Sequence, residues 1–251
     1  MPKNLLKYQI AISLIPGIGD IVGKKLIAYC GGVQAVFEEK RNALLKISGV
    51  GQAVVNSILS QSVFSRAEKE IEFIEKNNIQ TFFYTDENYP ERLLNCEDSP
   101  MMLFYKGSVK LNAPRVVAFV GTRKATNNGR VICDKFIEGL KKKDVLIVSG
   151  LAYGIDSIAH KAALSNGIDT IGVLGHGLDR IYPSQNKNLA DKMLENGGLL
   201  TEFISGTVPD RENFPKRNRI VAGMCDAVIV IESAAKGGAL ITAGLANSYN
   251  R

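Results

Sequence analysis

The chain has 251 residues, of which 45% are hydrophobic and 22% are charged, as in globular proteins with a buried core. No apolar run reaches the roughly 18 residues that a membrane span needs, and the four cysteines lack the spacing of a zinc site. A membrane protein and a zinc protein are therefore disfavoured, and a reducing cytoplasmic setting is expected. The net charge of +6, with a pI of about 9.1, favours an anionic partner.

Residues 1–65 contain an internal repeat. Residues 12–27 (ISLIPGIGDIVGKKLI) and 44–59 (LLKISGVGQAVVNSIL) share an apolar run, a glycine turn and an apolar-periodic helix, with the first glycines at Gly17 and Gly49. The pattern resembles a tandem helix-hairpin-helix, in which a tight turn directs backbone N–H groups toward a phosphate. A small helical scaffold would show the same pattern, so both alternatives stay open.

Residues 66–112 predict a helix, then a strand at IQTFFYT, and then a long loop with turns at Tyr89-Pro90 and Ser99-Pro100. The acidic face of the helix suits contact with solvent. We expect this segment to extend the following domain rather than to form a domain of its own.

Short apolar, β-branched runs alternate with helical stretches from residue 113 onward. The predicted strands cover residues 116–120, 145–149, 170–174, 199–202 and 227–231. The predicted helices lie near residues 126–142, 154–166, 186–196 and 217–225, and from about residue 238 to the end. This alternation predicts a doubly wound, mostly parallel sheet that binds ligands at the carboxyl ends of its strands.

We therefore predict an α/β protein with two domains. Residues 1–65 would form a small all-α domain, and residues 66–251 an extended Rossmann-like domain. The chain stops at Arg251 within a predicted helix, so we expect a C-terminus that is cut short.

The first predicted strand is followed by Gly121-Thr122-Arg123. A glycine there allows close approach of a ligand to the backbone, and a guanidinium can bind a phosphate through two N–H groups. Arg130, two helical turns further on, can reach the same region. The alternative for Arg123 is an ion pair with a glutamate at a neighbouring strand end, Glu202 or Glu232.

Asp156 and His160 lie four residues apart in the helix after the second strand, so they share a helix face. They can act as an acid–base pair, or the aspartate can stabilise the helix N-terminus while the histidine packs locally. The chain shows no nucleophile elbow with a Ser/His/Asp set and no P-loop. We expect a binding protein rather than an enzyme.

Glycine turns follow two further strands. Gly175 and Gly177 suit an anion, but Arg180 stands where a dinucleotide fingerprint requires its third glycine. Nicotinamide binding is disfavoured, and no cofactor is expected. Lys236 precedes Gly237-Gly238 at the start of the last helix, where anion binding and plain helix entry are equally suitable.

Residues 206–219 (GTVPDRENFPKRNR) are the most basic stretch near the predicted sheet edge. Pro209 and Pro215 predict a loop, because proline interrupts both helices and strands. Arginine and lysine side chains in this loop can contact phosphates, and Phe214 can stack on a base. The sequence therefore predicts a surface for single-stranded nucleic acid, with little sequence preference.

These motifs occur in one order and together resemble the DNA-processing protein DprA (Smf) family. The resemblance covers about residues 66–251, and the hairpin domain before it is also like that of many members. The motifs are Gly121-Thr122-Arg123, Ser149 to Asp156 with His160, Gly175 to Asp179 with Tyr182-Pro183 and Asn186, Phe214 to Ile220, and Gly237 to Ala243.

The resemblance implies a fold that binds single-stranded DNA, protects incoming strands during natural transformation and loads RecA onto them. It also implies a homodimer, with dimer and RecA surfaces that lie partly beyond residue 251. The candidate DNA-binding residues are Gly121, Thr122, Arg123, Arg130, Gly206, Arg211, Phe214, Lys216, Arg217, Asn218, Arg219 and Lys236.

The alternative is a nucleotide phosphoribohydrolase similar to the LOG family on a related Rossmann fold. That family uses a Pro-Gly-Gly-x-Gly-Thr segment and a nearby glutamate. Here KGGALI, at residues 236–241, stands in place of that segment.

Overall fold

The computed structural model describes residues 3–235 and 237–251. It divides into two compact units. The first comprises Met1–Tyr84 and Glu97–Met102, and the second comprises Thr85–Cys96 and Leu103–Arg251. Within the described residues, no helix is long and apolar enough to cross a membrane.

The first unit is mainly helical. Its elements are α1 (Lys3–Ser13), α2 (Asp20–Cys30), α3 (Val33–Glu38), α4 (Arg41–Leu44), α5 (Gln52–Ser60), α6 (Phe64–Lys76) and the short strand β1 (Gln80–Phe83). The helix and strand that follow residue 65 thus lie in this unit.

The sequence repeat is also a structural repeat. Gly17 and Gly49 both adopt a left-handed conformation, with φ of 81° and 89°, in the turns that lead into α2 and α5. A Cβ added to Gly17 would lie 3.4 Å from Val54, and one added to Gly49 would lie 3.3 Å from Val22. Each turn therefore packs against the first-turn valine of the other copy's helix.

The first copy of the repeat is bonded to a distant segment of its own unit. The Asp20 carboxylate accepts a hydrogen bond of 2.7 Å from the backbone N–H of Met101. Lys24 donates a 2.6 Å bond to the Ser99 hydroxyl. Because these groups hold residues 97–102, the beginning of α2 is occupied by the chain itself.

The second unit contains a twisted sheet and its helices. Its strands are β2 (Met102–Gly107), β3 (Arg115–Val120), β4 (Val145–Ser149), β5 (Thr170–Val173), β6 (Gly197–Thr201) and β7 (Ala227–Val230). Its helices are α7 (Glu91–Leu94), α8 (Asn127–Gly139), α9 (Ile155–Ser165), α10 (Lys187–Met193), α11 (Asn213–Gly223) and α12 (Gly238–Ser248).

The strands of this unit lie in the order β2-β6-β5-β4-β3-β7. All neighbouring pairs are parallel except β2 with β6. The chain runs from β3 to β6 in one direction and then returns to β7 on the other side of β3. Right-handed crossovers therefore place α8, α9 and α10 on one face and α11 on the other. The predicted doubly wound, mostly parallel α/β fold is confirmed.

Two local predictions were wrong. Residues 86–107 were predicted as a loop, but Met102–Gly107 form β2, which pairs antiparallel with β6. The buried apolar run at its start is the signal, because it suits a strand that is covered on both faces. The last helix was predicted to reach the end of the chain, and it ends at Ser248.

The core of the sheet lies between β3, β4 and the helices α8 and α9. Phe119 and Ile147 from the strands pack against Cys133 and Ile137 of α8 and Ile158 of α9, all nearly or fully buried. A second cluster packs α10 against Leu174 and Leu199. This packing fixes the carboxyl ends of β3, β4 and β5 side by side.

The packing around Gly198 in β6 yields the first testable prediction. A Cβ at Gly198 would overlap the Tyr105 ring, which is fully buried and donates a 3.0 Å bond to the Val109 carbonyl. Gly198→Ala should lower the free energy of unfolding by about 1–3 kcal/mol, the usual cost of overpacking. Gly139→Ala is the matched control, since, apart from its chain neighbours and the backbone of its own helix, no described atom lies within 4 Å of its added Cβ. Urea denaturation of both variants measures the difference, and equal stabilities would contradict this account.

Candidate nucleic-acid interface

A groove of about 830 Å³ lies at the carboxyl edge of the sheet in the second unit. It opens beyond the ends of three neighbouring strands, β4, β3 and β7. The chain proceeds from β3 to one side of the sheet and later returns to β7 on the other side, and doubly wound folds bind ligands at such a reversal of the strand order. Its lining comes from the segments after β3, β4 and β7 and from the beginnings of α11 and α12.

Arg123 is held at the rim of this groove by its neighbours along the chain. The backbone N–H of Thr122 donates a 2.7 Å bond to the carbonyl of Glu232, just after β7. The carbonyl of Thr122 accepts a 3.1 Å bond from Ile155 at the start of α9. The turn is therefore fixed on both sides, while the side chain of Arg123 is exposed.

The basic segment at residues 206–219 is only partly a loop. Asn213–Gly223 form α11, so Phe214 through Arg219 are helical and the prediction of a continuous loop was wrong. Pro215 is the third helical residue, and in the first turn its missing N–H has no partner to lose. Phe214, Arg217 and Asn218 reach the groove from the beginning of this helix.

An arginine and two aromatic rings form a stack at the rim. The guanidinium carbon of Arg123 lies 5.5 Å from the centre of the Phe214 ring. The Tyr182 and Phe214 ring centres are 6.1 Å apart, with an interplanar angle of 33°. Tyr182 is 49% exposed. A slot of about 70 Å³, lined also by Leu151 and His176, opens beside the stack. Tyr182 was not among the predicted site residues, although the Tyr182-Pro183 motif was part of the family resemblance.

Arg217 differs from Arg123 because it is buried. Only 7% of it is exposed, and its guanidinium donates to the carbonyl of Val173 and, through Nε at 3.1 Å, to Asn218. Burial lowers the pKa of Arg217, whereas the nearby carboxylate of Asp156 opposes this shift. Burial also raises the pKa of Asp156, against the lowering effect of Arg217 and Arg123. The two side chains thus lie close enough at the groove floor for each to oppose the effect of burial on the pKa of the other.

His160 forms a hydrogen bond with the backbone of the groove floor at Gly150. Its Nε2 lies 2.6 Å from the carbonyl of Gly150, and its Nδ1 lies 2.7 Å from the Thr170 hydroxyl. A carbonyl can only accept, so Nε2–H donates and Nδ1 accepts. Burial lowers the pKa of His160 from 6.5 to about 4. His160 is therefore neutral and holds the turn after β4, and its partners do not include Asp156.

The remaining candidate residues have varied environments. Arg211 lines the groove and is exposed. Arg219 forms an ion pair with Glu202, and both side chains are largely buried. Arg130, Gly206 and Lys216 are exposed outside the described lining of the groove. Lys236 lies outside the described residues.

The two glutamates considered as partners of Arg123 are bonded elsewhere. Glu202 pairs with Arg219, and Glu232 accepts a 3.0 Å bond from the backbone N–H of Thr126 before α8. A Cβ at Gly129 would overlap the same Glu232 carboxylate. Glu232 therefore stabilises the N-terminus of α8 rather than projecting freely into the groove.

The sequence model of DNA recombination-mediator protein A matches residues 80–251, which is more than half of the chain. The chain belongs to this family. The family resemblance seen in the sequence is thereby confirmed, and the groove described above lies within the matched residues.

Named relatives agree with this membership. Over the whole length of this chain, the sequence is 36% identical to Protein Smf of Synechocystis, and the match covers 64% of that protein. It is 45% identical to the DNA processing protein DprA of Streptococcus pneumoniae, over 64% of this chain and 57% of that protein. The chain thus spans about three fifths of the length of these relatives.

Two solved structures of family members are also similar. DNA processing protein A from Streptococcus pneumoniae superposes with a TM-score of 0.83 at 35% identity, covering 98% of this chain and 84% of that chain. DNA processing protein A from Helicobacter pylori, described for its single-stranded DNA binding mode, gives a TM-score of 0.63 at 33% identity. That match covers 68% of this chain and 77% of the Helicobacter chain.

The buried histidine yields a prediction of pH-dependent stability. The folded-state pKa of His160, about 4, is below its ordinary value of 6.5, so folding favours the neutral form. Its stabilising contribution is complete above pH 6.5 and is lost as the pH falls toward 4. The loss should be of the order of 3 kcal/mol, since one pKa unit corresponds to about 1.4 kcal/mol. Urea denaturation of wild type and His160→Gln between pH 7 and 4 should show a shallower decline of the free energy of unfolding in the variant. An identical decline in both proteins would contradict this assignment of the pH dependence to His160.

Proposed function

We propose that this chain binds single-stranded DNA in the groove at the carboxyl edge of the sheet. The observation that best supports this function is the rim stack of Arg123, Phe214 and Tyr182. A guanidinium there suits a backbone phosphate, and adjacent aromatic rings suit an unpaired base. Bases in a duplex already stack on each other, so such a rim favours a single strand.

The charges of the groove fit the same ligand. Arg123, Lys124 and Arg211 are exposed in its lining, and Arg217 lies at its floor. Guanidinium and ammonium groups bind phosphates without regard to the base sequence. We therefore infer that affinity comes mainly from phosphate contacts and stacking, and that sequence preference is slight.

The wider role that we propose follows from family membership. It is protection of incoming single strands in natural transformation and loading of RecA onto them, by a homodimer in the cytoplasm. The support is the match to a recombination mediator and the similarity to DprA proteins. Free thiols at Cys30, Cys96, Cys133 and Cys225 fit a reducing compartment.

No observation favours the alternative, a nucleotide phosphoribohydrolase. Its reaction would need a glutamate near the segment 236–241, and the Glu232 carboxylate is hydrogen-bonded at the start of α8. We propose binding without catalysis.

Arg123→Ala should weaken binding of an oligothymidine at least about tenfold. Loss of one phosphate contact should also reduce the slope of log K against log salt by about 0.7. The matched control is Arg115→Ala, because Arg115 is exposed at the opposite, amino end of the same strand β3. Fluorescence anisotropy at several salt concentrations measures both quantities. Equal affinities for Arg123→Ala and wild type would refute the proposed groove.

Phe214→Ala should weaken oligothymidine binding by a different route. Loss of one stacked base corresponds to about 1–3 kcal/mol, with little change in the salt slope because no charge is removed. Phe136→Ala serves as control, since Phe136 is a 53% exposed phenylalanine on α8, outside the groove. A drop in salt slope as large as that of Arg123→Ala would contradict stacking.

A further inference from the structure

The groove proposed to bind a polyanion contains a carboxylate. Among its described lining residues, Asp156 is the acidic one, beside the cations Arg123, Lys124, Arg211 and Arg217. Charge alone would make this residue unfavourable, because it repels phosphates. Its presence at the floor of the groove therefore calls for a physical reason.

The geometry around Gly150 provides that reason. A Cβ at Gly150 would overlap both Nη1 of Arg217 and Oδ2 of Asp156, so these two atoms flank the same glycine. Asp156 is 8% exposed and lies in the first turn of α9, and its Oδ2 accepts a 3.3 Å bond from the N–H of Ala152. The carboxylate is thus fixed by the turn that precedes α9, on the side of Gly150 where the guanidinium lies.

The guanidinium depends on a negative charge nearby. Arg217 is buried at the floor, where an uncompensated cation is strongly disfavoured. The hydrogen-bond acceptors of its guanidinium, Val173 and Asn218, are neutral. Without the carboxylate, the side chain would gain by turning toward water and leaving its place in the groove.

We propose that Asp156 is a positioning residue for DNA binding, because its carboxylate holds the Arg217 guanidinium at the floor of the groove. The inference rests on the proposed function of the groove and goes beyond it, since it assigns a favourable role to an acidic residue. Removing this negative charge should therefore weaken binding of DNA, whereas electrostatic repulsion alone predicts stronger binding. The sign of the effect separates the two accounts.

The first experiment compares two variants with the same change of charge. Asp156→Asn removes the carboxylate at the floor, and Asp134→Asn removes one from the exposed surface of α8, outside the groove lining. Fluorescence anisotropy with an oligothymidine should show about tenfold weaker binding for Asp156→Asn. Asp134→Asn should bind as tightly as wild type or slightly more tightly. Equal or tighter binding by folded Asp156→Asn overturns the proposal.

A second variant moves the guanidinium without changing any charge. The Cβ introduced by Gly150→Ala would occupy the space between Oδ2 of Asp156 and Nη1 of Arg217. We expect it to weaken oligothymidine binding by a similar factor while its melting temperature confirms folding. If Asp156→Asn does not fold, Gly150→Ala decides alone, and wild-type affinity in folded Gly150→Ala overturns the proposal.

A double-mutant cycle tests whether Asp156 acts through Arg217. In an Arg217→Gln background, Asp156→Asn should cause no further loss of affinity, because the group that it positions is gone. An additive loss would show a general structural effect and overturn the proposal. Arg123→Ala distinguishes failure of the proposed groove from failure of the role of Asp156. If Arg123→Ala leaves binding unchanged, the proposed function fails. If Arg123→Ala weakens binding and Asp156→Asn does not, only the role of Asp156 fails.

Discussion

A buried guanidinium must have its charge balanced and its N–H groups bonded, and Arg217 imposes this requirement on the second unit. Its partners come from the end of β5 at Val173, from α11 itself and, by charge, from α9 at Asp156. His160 holds the turn at Gly150, which lies against both Arg217 and Asp156. The floor of the groove is therefore a fixed polar layer, and the rim, with the exposed Arg123 and the partly exposed Phe214, is where a flexible ligand can be accommodated.

Much of the fold could be predicted from the sequence, because strands buried on both faces are short, continuous apolar runs. The runs at β3, β4 and β5 have this form, and the structure places strands there. The errors arose where one local signal was given too much weight. Pro215 was taken to end any helix, but α11 begins only two residues earlier, where proline is tolerated. The strand β2 was hidden among turn signals on both sides.

The placement of the candidate residues at the sheet edge was predictable in outline, but their internal arrangement was not. Arg123 follows a glycine at a strand end, and this local pattern correctly indicated the edge of the sheet. Arg217 and Arg219 looked equivalent in a loop, but on a helix residues two apart point in different directions. One lies at the groove floor beside Asp156, and the other pairs with Glu202. Long-range pairings of this kind depend on tertiary packing, which no local pattern encodes.

The two copies of the repeat in the first unit have unequal surroundings, so they should differ in their tolerance of substitution. The first is bonded through Asp20 and Lys24 to residues 97–102, while at the corresponding positions of the second copy the Gln52 side chain donates to that of Asn56. A substitution at Asp20 or Lys24 therefore also releases a remote stretch of chain, whereas one at Gln52 or Asn56 acts locally. Val22 and Val54 constrain both copies alike, because each lies against the turn of the other copy.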